Sequence, residues 1–152
     1  MNISVITVDL TSEADLEAVV ALDSLISGQS RRGFYIKKFA AARRSPETFV
    51  FLRASVTDRV DGYLLVRIVD GEFGATRPAA VIEAIGTNPA LRGKGIAHAM
   101  MAELETRLAA RGVREIHSEA EWTENDLIRF FASSGFHLAP HQILGRAVTT
   151  EL

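Results

Sequence analysis

Hydrophobic and polar residues follow two different periods along this chain, and each period predicts one kind of secondary structure. Apolar residues recur at four-residue spacing between positions 96 and 108, which is typical of an amphipathic helix. Shorter runs rich in β-branched residues predict strands. The predicted strands cover residues 3–8, 48–54, 62–69, 78–87, 113–122, 136–139 and 142–149. The predicted helices run from a cap at Thr11 or Ser12 to about Gly28, then over residues 34–44, 93–111 and 124–134, the last capped by Thr123.

The order of these elements, β-α-α-β-β-β-α-β-α-β-β, predicts an α/β (α+β) fold: a mixed central sheet with helices on both faces. A helix connects the strands at 78–87 and 113–122, so these two are expected to be parallel neighbours. The apolar run at 79–82 predicts burial on both faces of its strand. With 152 residues and no linker or repeat, the chain is expected to form a single domain, residues 1–152.

Composition narrows the classes of function. The chain has no cysteine, which excludes disulfides, thiol catalysis and zinc–thiolate sites. Its net charge of −2 gives no overall attraction to nucleic acid or to an acidic membrane. There is no signal-like segment or apolar stretch of membrane-spanning length, and the histidines lack metal-ligand spacing. We therefore expect a cytoplasmic protein that uses no metal and binds neither nucleic acid nor membrane.

The turn at residues 88–97 has the features of an anion site. It follows the strand predicted at 78–87, passes through a basic segment that contains Gly93 and Gly95, and opens the long helix. The first N–H groups of a helix lack intrahelical partners and lie at its positive dipole end, and glycine lets an anion approach the backbone. A Walker loop is excluded because no Lys-Ser/Thr pair follows the glycines, and a Rossmann fingerprint fits poorly. The structural alternative is a plain strand-to-helix connection.

These residues resemble a known family. Arg92, Gly95 and Ala97 match the Arg/Gln-x-x-Gly-x-Gly/Ala core of the acetyl-CoA-binding motif in the GNAT superfamily of N-acetyltransferases. Residues 127–136 resemble the second motif of that family, a short helix that ends in Gly-Phe. The predicted order of elements is similar to the GNAT fold over essentially the whole chain.

The resemblance implies acetyl-CoA as cosubstrate and direct attack of an amine on its thioester, without a covalent enzyme intermediate. The pyrophosphate would bind backbone N–H groups at 92–97, and the pantetheine arm would lie between the strands at 78–87 and 113–122, paired with backbone groups of Ile85 and Thr87. The residues expected at the cosubstrate are Ile85, Thr87, Arg92, Gly93, Lys94, Gly95, Ile96, Ala97, Asn125 and Phe131. For Asn125, capping of its helix is the alternative.

Glu83 is the candidate catalytic base. It lies within an apolar strand, four residues before Thr87, where the resemblance places the acetyl group. A carboxylate in such a strand is costly unless it is paired or used, and general-base catalysis is one such use. The alternative is a structural ion pair or a carboxylate at the strand edge.

The acceptor site is expected at the junction of the first two helices and at nearby acidic positions. The residues expected there are Arg31, Tyr35, Glu72, Glu119 and Glu121. Glu119 and Glu121 alternate along a predicted strand and would share a face with His117. A solvated surface is the alternative for these two glutamates and for Arg31, and a surface turn is the alternative for Glu72.

One position departs from the family pattern. Many GNAT enzymes carry a tyrosine in the second motif that protonates the leaving thiolate, and the matching residue here is Phe131, which cannot donate a proton. Ser133, Ser134 and Tyr35 are alternative donors. Water, or departure of the thiolate without an acid, are further alternatives.

Three functions stay open at this point. The leading hypothesis is an acetyl-CoA-dependent N-acetyltransferase that transfers the acetyl group directly to a primary amine of a small molecule or of a protein. The second is a non-catalytic acyl-CoA-binding or regulatory module with the same fold, which the phenylalanine at position 131 motivates. The third is an enzyme that transfers a longer acyl chain. The resemblance also suggests a homodimer.

Overall fold

The computed structural model describes residues 5–148, which form the following elements. The strands are β1 (Thr7–Leu10), β2 (Phe49–Ser55), β3 (Gly62–Asp70), β4 (Pro78–Thr87) and β5 (Ile116–Ser118). The α-helices are α1 (Leu16–Ser27), α2 (Arg32–Arg44), α3 (Ile96–Ala110) and α4 (Asn125–Ser133). Short 3₁₀ helices lie at Glu13–Asp15, Glu72–Gly74 and Pro89–Leu91. The chain divides into two compact units, the first ending at Glu119 and the second beginning at Ala120.

The first unit contains one five-stranded sheet with the strands in the order β1-β2-β3-β4-β5. The neighbours from β1 to β4 are antiparallel, whereas β4 and β5 are parallel. The parallel pair follows from the chain order, because α3 carries the chain back along the sheet between the two strands. The predicted mixed sheet and its parallel neighbours are therefore confirmed.

The two faces of this sheet pack against different helices. Side chains of α1 and α2 share a hydrophobic cluster with Tyr63, Leu65 and Ala84 of the sheet. Alternate residues of β3 point to the opposite face, where Gly62 is covered by Ile96 of α3. A Cβ atom at Gly62 would lie 2.8 Å from the Ile96 side chain, so the missing side chain lets α3 approach the sheet closely. Helices on both faces of the sheet are thus confirmed.

Capping residues that can be recognised in the sequence lie at both ends of the first helical segment. The backbone N–H of Ser12 donates to the Asp15 carboxylate at 2.8 Å, as in a capping box. Gly28 follows the last turn of α1 with φ of 78°, the left-handed conformation that favours glycine at a helix end. The helical segment therefore starts where the sequence predicts: Ser12 rather than Thr11 caps the 3₁₀ turn Glu13–Asp15, which leads directly into α1.

The strand predictions near the start of the chain and after α3 need correction. The first strand begins at Thr7 rather than at residue 3, and residues 3 and 4 lie outside the described part of the chain. The strand predicted at 113–122 is reduced to Ile116–Ser118. Its register with β4 has Ser118 as the last paired residue, so the residues after it have no ladder hydrogen bonds to hold them extended.

The prediction of two final strands, at 136–139 and 142–149, is wrong for all of the residues that the structure describes. No strand forms between residues 119 and 148, and residue 149 lies outside the described range. Extended backbone is stable only when a partner strand accepts its hydrogen bonds, and Pro140 has no N–H to donate. The large apolar side chains that produced the pattern are exposed: Leu138, Ile143, Leu144 and Val148.

Burial along β4 alternates, which corrects the prediction of burial on both faces. Ala80 and Ile82 are buried, whereas Ala79 and Val81 are partly exposed. Val81 lies opposite Arg67 of β3, and this part of their shared face is only partly covered. The apolar run at 79–82 therefore does not mean that helices cover both faces of the strand.

In the second unit, α4 packs through aromatic rings. Phe131 is buried, and its ring centroid lies 4.8 Å from that of Phe136 and 5.6 Å from that of Phe130. The backbone N–H of Phe136 donates to the Phe131 carbonyl at 3.0 Å, after the left-handed turn at Gly135. The Gly-Phe end of the short helix thus has a structural reason, since glycine permits the turn and the phenylalanine closes onto the helix.

The start of α4 differs from the prediction. Glu124, not Thr123, occupies the position before the helix, and no side chain caps the first turn. The Glu124 carboxylate instead accepts the backbone N–H of Glu121 at 3.0 Å. The proposed Thr123 cap is therefore wrong.

None of the helices between residues 5 and 148 is both long and apolar enough to cross a membrane. In the same part of the chain, histidine and acidic side chains form no group of three or more that could hold a metal ion.

Candidate active site

The backbone edge of β4 is open beyond its pairing with β5. The parallel register runs from Ala80 opposite Ile116 to Ile82 opposite Ser118 and stops there, whereas β4 continues to Thr87. On its other side β4 stays paired with β3 along its whole length. The segment from Glu83 to Thr87 therefore presents unpaired edge positions to which an extended ligand arm can add like a strand.

A β-bulge marks the point where this open edge begins. Leu65 of β3 lies opposite Ala84 and Val66 lies opposite Ile82, so Glu83 is the extra residue without a partner. Ala84 belongs to the cluster under α1 and α2, and Glu83 reaches side chains on that same side. The bulge thus places two consecutive side chains on one face, which a regular strand cannot do. Nothing in the alternation of the sequence indicated this bulge.

The turn after β4 is anchored by a buried carboxylate that the sequence prediction missed. The side chain of Asn88 accepts the Ala90 N–H at 3.1 Å, and its backbone N–H donates to the Asp61 carbonyl at 2.7 Å. Asp61 is only 2% exposed, and its Oδ2 accepts the backbone N–H groups of Val56 and Thr57 at 2.8 and 3.0 Å. One aspartate therefore ties the β2–β3 turn to the start of the 88–97 segment.

The carboxyl group of Asp61 makes the stability of the fold depend on pH. Burial alone raises its pKa, but hydrogen bonds from Thr57 and Val56 outweigh that effect, so the pKa lies below its ordinary value. In the unfolded chain, where an aspartate has a pKa of about 3.9, the group binds its proton more readily. Its stabilising contribution is therefore complete above about pH 4 and is lost as the pH falls through the lower folded pKa.

Between pH 7 and pH 3, we expect the Asp61→Asn variant to lose less unfolding free energy than the unaltered protein loses. Urea denaturation at the two pH values measures this difference. Asp58→Asn, at an exposed position of the same turn, is the matched control and should leave the acid-dependent loss unchanged. Equal losses in the two variants would contradict the role assigned to Asp61.

The glycines of the turn adopt the backbone conformation that their position requires. Gly93 and Gly95 have φ of 79° and 86°, and a Cβ atom at either would meet nothing within 4 Å. Gly95 precedes the first turn of α3, where no side chain provides a cap. The N–H groups at this helix start have no intrahelical acceptor, and Arg92 and Lys94 beside them are exposed. The turn thus has the donors, the positive charge and the open approach of an anion site.

Glu83 lies between two cations. The Lys38 ammonium is 2.8 Å from Oε2, and the Arg67 Nε donates to Oε1 at 3.1 Å. Oε2 is buried, and its contact with Lys38 is a close charge pair rather than a well-directed hydrogen bond. Arg67 also lies 3.7 Å from Glu72, whose side chain is half exposed. Glu83 therefore forms the ion pairs that the structural alternative requires. These contacts do not exclude a catalytic role.

A buried aspartate on α1 forms a second polar cluster that sequence reasoning missed. Asp23 is 1% exposed and accepts hydrogen bonds from the hydroxyls of Tyr35 at 2.8 Å and Tyr63 at 2.6 Å. Arg31 donates to both of its oxygens, from Nε at 2.8 Å and from Nη2 at 2.5 Å. Asp23 follows Val19 by four residues on the apolar side of the predicted helix, and this spacing was the available signal.

This cluster lies directly against β4. A Cβ atom at Gly86 would be 2.5 Å from the Tyr63 hydroxyl, so only glycine fits at that position. Burial by itself raises the pKa of Asp23, but hydrogen bonds from Arg31 and the tyrosines bring it below its ordinary value. Burial raises the pKa of Tyr35 and Tyr63 well above the usual range, and hydrogen bonding to Asp23 adds to this effect. Tyr35 is therefore a poor proton donor for a leaving thiolate.

The residues predicted for the acceptor are only partly brought together. Arg31 and Tyr35 meet at the junction of α1 and α2 through Asp23, with Tyr35 fully buried. Glu72 joins Glu83 through their shared partner Arg67, which links a predicted acceptor residue with the candidate base.

The placement of Glu119 and Glu121 on one strand face with His117 is wrong. β5 ends at Ser118, so neither glutamate belongs to a strand, and both side chains are exposed. His117 pairs instead with Glu115, with Nε2 at 3.2 Å from the carboxylate. Because the strand ends before these positions, no strand alternation keeps the two glutamate side chains on a common face.

The predicted residues of the second motif lie in the second unit. Asn125 is the first residue of α4 and is exposed, and its side chain does not cap the helix. Phe131 is enclosed by the neighbouring rings of Phe130 and Phe136. The Ser133 hydroxyl donates to the Phe130 carbonyl at 2.8 Å, so that proton is already engaged.

Two half-open clefts lie elsewhere in the first unit. A cavity of about 310 Å³ opens between β1, α2 and Arg111, and one of about 440 Å³ lies beside the end of α3 near Gly112. Neither is lined by Glu83 or by the 92–97 turn. The candidate site is therefore an open strand edge with an adjoining turn, and we favour it over these cavities because it gathers the chemically competent groups.

Comparison with solved structures shows the same fold. A transcriptional regulator from Bacillus halodurans C-125 is 23% identical, with a TM-score of 0.79 over 94% of this chain and 99% of that one. AAC(6')-Iy, solved with the bisubstrate analogue CoA-S-monomethyl-acetylneamine, is 18% identical, with a TM-score of 0.79 over 96% and 100%. The ribosomal-protein-alanine N-acetyltransferase of Brucella melitensis biovar Abortus 2308 is 14% identical, with a TM-score of 0.76 over 95% and 100%.

A search of curated proteins by sequence found no match. The model of the Acetyltransferase (GNAT) family, however, matches residues 17–136, which include the open edge of β4, the glycine turn and α4. The matched segment covers well over half of the chain. The resemblance to this family is therefore confirmed, and the chain belongs to the acetyltransferase (GNAT) family of enzymes.

Proposed function

We propose that this protein is an acetyl-CoA-dependent N-acetyltransferase that transfers an acetyl group directly to a primary amine. The observation that carries the proposal is the open edge of β4 from Glu83 to Thr87, which leads into the turn with Gly93 and Gly95. One feature suits an extended thiol arm and the other suits a pyrophosphate. Structural relatives solved with CoA or a CoA analogue support this use of the site.

The residues of the chain have separate tasks in binding acetyl-CoA. Backbone groups of Ile85 and Thr87 pair with the amide-containing arm, because their edge of β4 has no β5 residue opposite. Backbone N–H groups of residues 92–97 bind the pyrophosphate, and the exposed side chains of Arg92 and Lys94 add positive charge. Asn125 and Phe131 stay as proposed cosubstrate residues from the second motif.

The acceptor is a primary amine of a small molecule or of a protein. The solved relatives include an aminoglycoside N-acetyltransferase, which is named for a small molecule, and a ribosomal-protein-alanine N-acetyltransferase, which is named for a protein. Arg31, Tyr35, Glu72, Glu119 and Glu121 stay as proposed acceptor-side residues. Of these, Glu72 has the strongest structural link to the chemistry, since Arg67 joins it to Glu83.

Glu83 is the proposed general base. Its side chain is 17% exposed and can take the proton of an incoming ammonium group directly or through a water molecule, while Oε2 stays buried against Lys38. Removing that proton frees the nitrogen lone pair for attack on the thioester carbonyl. The Tyr35 hydroxyl is engaged by Asp23 and the Ser133 hydroxyl by the Phe130 carbonyl. With phenylalanine at 131, the thiolate therefore leaves unaided or takes a proton from water or from Ser134. Cytoplasmic location and a homodimer stay predictions from the sequence.

Calorimetric titration with acetyl-CoA tests the cosubstrate site, and Gly95→Ala is the variant of choice. A side chain in the left-handed conformation costs about 1–2 kcal/mol, so we expect the turn to distort and the dissociation constant to rise about tenfold. The distortion should not reach the rest of the fold, since a Cβ atom at this position meets no other group within 4 Å.

Gly33→Ala provides the matched control for this titration. Gly33 lies within α2, has no left-handed φ and has open space around its Cβ direction, so alanine there should leave acetyl-CoA affinity unchanged. Absence of acetyl-CoA binding by the unaltered protein at millimolar concentration would overturn the proposed function. Equal affinities for the two glycine variants would overturn the assignment of the turn.

A further inference from the structure

A lysine of α2 holds its amine at the candidate base. Lys38 Nζ lies 2.8 Å from Glu83 Oε2, within 5.5 Å of the Phe34 ring centroid and 5.9 Å of the Phe49 centroid. The Lys38 side chain is 22% exposed and that of Glu83 is 17% exposed. The pair is thus a primary amine held in place, beside a carboxylate oxygen that lacks a well-directed hydrogen bond.

Glu83, which holds the Lys38 amine, is the first residue of the open edge of β4, where the reactive end of an extended acyl thioester arm has to stop. An arm that starts from the 92–97 turn and follows the open edge of β4 travels from Thr87 towards Glu83. It can go no further along the edge, because from Ile82 backwards those positions are paired with β5. Four residues of strand span about 13 Å, a length over which the arm can pair before its thioester meets the bulge at Glu83.

We propose that Lys38 is a self-acylation site, modified by the protein's own bound acetyl-CoA with Glu83 as the base. This inference rests on the proposed function, and it deepens it by naming an acceptor inside the chain. Glu83 takes one proton from the Lys38 ammonium, and the freed amine attacks the thioester carbonyl carbon. The N–C bond forms, the C–S bond breaks, and CoA leaves as a thiolate that takes up the second amine proton.

Acylation at this position has a defined consequence for the site. The resulting amide carries no charge, so Glu83 Oε2 loses its close cation and Arg67 stays as the partner of Oε1. Self-acylation therefore changes the charge at the candidate base.

The chain offers its own controls for this reaction. It contains three lysines, Lys37, Lys38 and Lys94. Lys37 and Lys94 are exposed, whereas Lys38 is partly buried against Glu83. Uncatalysed chemical acetylation depends on access to the amine and should favour the two exposed lysines, whereas the proposed reaction favours the partly buried one.

The test incubates the full chain with acetyl-CoA alone and follows each lysine by peptide mass spectrometry. We expect Lys38 to be acetylated about a hundredfold faster than Lys37, at a rate per molecule that does not change with protein concentration. Glu83→Gln should lower acetylation of Lys38 about a hundredfold and leave Lys37 and Lys94 unaffected. Lys38→Arg keeps a cation beside Glu83 and should remove the modification at position 38 without increasing it at Lys37.

Acetyl-CoA binding and acetyl transfer to an added amine are measured on the same preparation. Binding and transfer with Lys38 unmodified, or with the three lysines modified at equal rates, would overturn self-acylation and leave the proposed function standing. A rate per molecule that grows with protein concentration would also overturn it, since the reaction would then occur between molecules. Failure to bind acetyl-CoA would overturn the proposed function and this inference together.

Discussion

Replacing Glu83 with glutamine is expected to lower the turnover number for acetyl transfer about 10²–10⁴-fold, the usual contribution of a positioned general base. The amide keeps the size of the side chain but cannot accept the proton that the attacking amine must lose. Affinity for acetyl-CoA should stay unchanged, because the proposed cosubstrate contacts are backbone groups of β4 and of the 92–97 turn. Steady-state kinetics across pH, with calorimetry for acetyl-CoA, measure both quantities.

Glu72→Gln is the matched control for this prediction. Glu72 shares Arg67 with Glu83, but at 3.7 Å and with a half-exposed side chain. As a proposed acceptor-side residue it can affect the KM for the acceptor, but its replacement should change the turnover number only slightly, because it does not take the proton. If Glu83→Gln left both the turnover number and the shape of the pH profile intact, Glu83 would be a structural ion-pair residue. That is the alternative reading of its contacts with Lys38 and Arg67.

Truncating Asp23 to alanine is expected to reduce the free energy of unfolding by about 3 kcal/mol. The loss has two parts. The buried hydroxyls of Tyr35 and Tyr63 lose their common acceptor, and Arg31 loses both of its carboxylate contacts. The Arg31 side chain is 40% exposed and recovers part of its hydration, which keeps the expected loss below that of a fully buried ion pair.

Glu17→Ala on the same helix provides the comparison for Asp23. Glu17 accepts from Arg32 at 2.5 and 2.6 Å, but both side chains are largely exposed. Its removal should have a much smaller effect on stability, because an exposed charge pair contributes little. Urea denaturation of the two variants separates the effects of burial from those of charge pairing. Similar small losses in both would contradict a structural role for the Asp23 cluster.

The parts of the fold that the sequence predicted are those set by local chemistry. α3 follows from apolar residues at helical spacing, and β4 was placed over the residues it occupies. Gly93 and Gly95 could be recognised because a left-handed backbone before a helix requires a residue without Cβ. The parallel pairing of β4 and β5 followed from the intervening helix. The 92–97 turn could be predicted from the sequence because all of its residues are contiguous in the chain.

The parts of the candidate site that the sequence did not reveal depend on contacts between distant segments. The bulge at Glu83 exists only as a register shift against Leu65 and Val66 of β3. The Asp23 cluster joins α1, α2 and β3, so no short segment contains its pattern. Asp61 was likewise hidden, because its partners at the β2–β3 turn and at Asn88 are far apart in the chain.

The strands predicted after α4 failed for a different physical reason. Residues 136–148 carry apolar residues in short runs, but a strand forms only where a neighbour completes its hydrogen bonds. No strand pairs with this segment in the described range, and Leu138 and Leu144 stay exposed. Apolar patterning indicates a capacity for a strand, whereas the presence of a partner decides whether the strand forms.

Release of free CoA thiol from acetyl-CoA, measured with the purified chain and a panel of primary amines, tests the central claim most directly. The panel should contain polyamines, aminoglycosides, amino acids and peptides with a free amino terminus. The account predicts release that depends on at least one amine, well above any slow release without added amine, together with a matching acetylated product. Binding of acetyl-CoA without amine-dependent release for any member of the panel would contradict it.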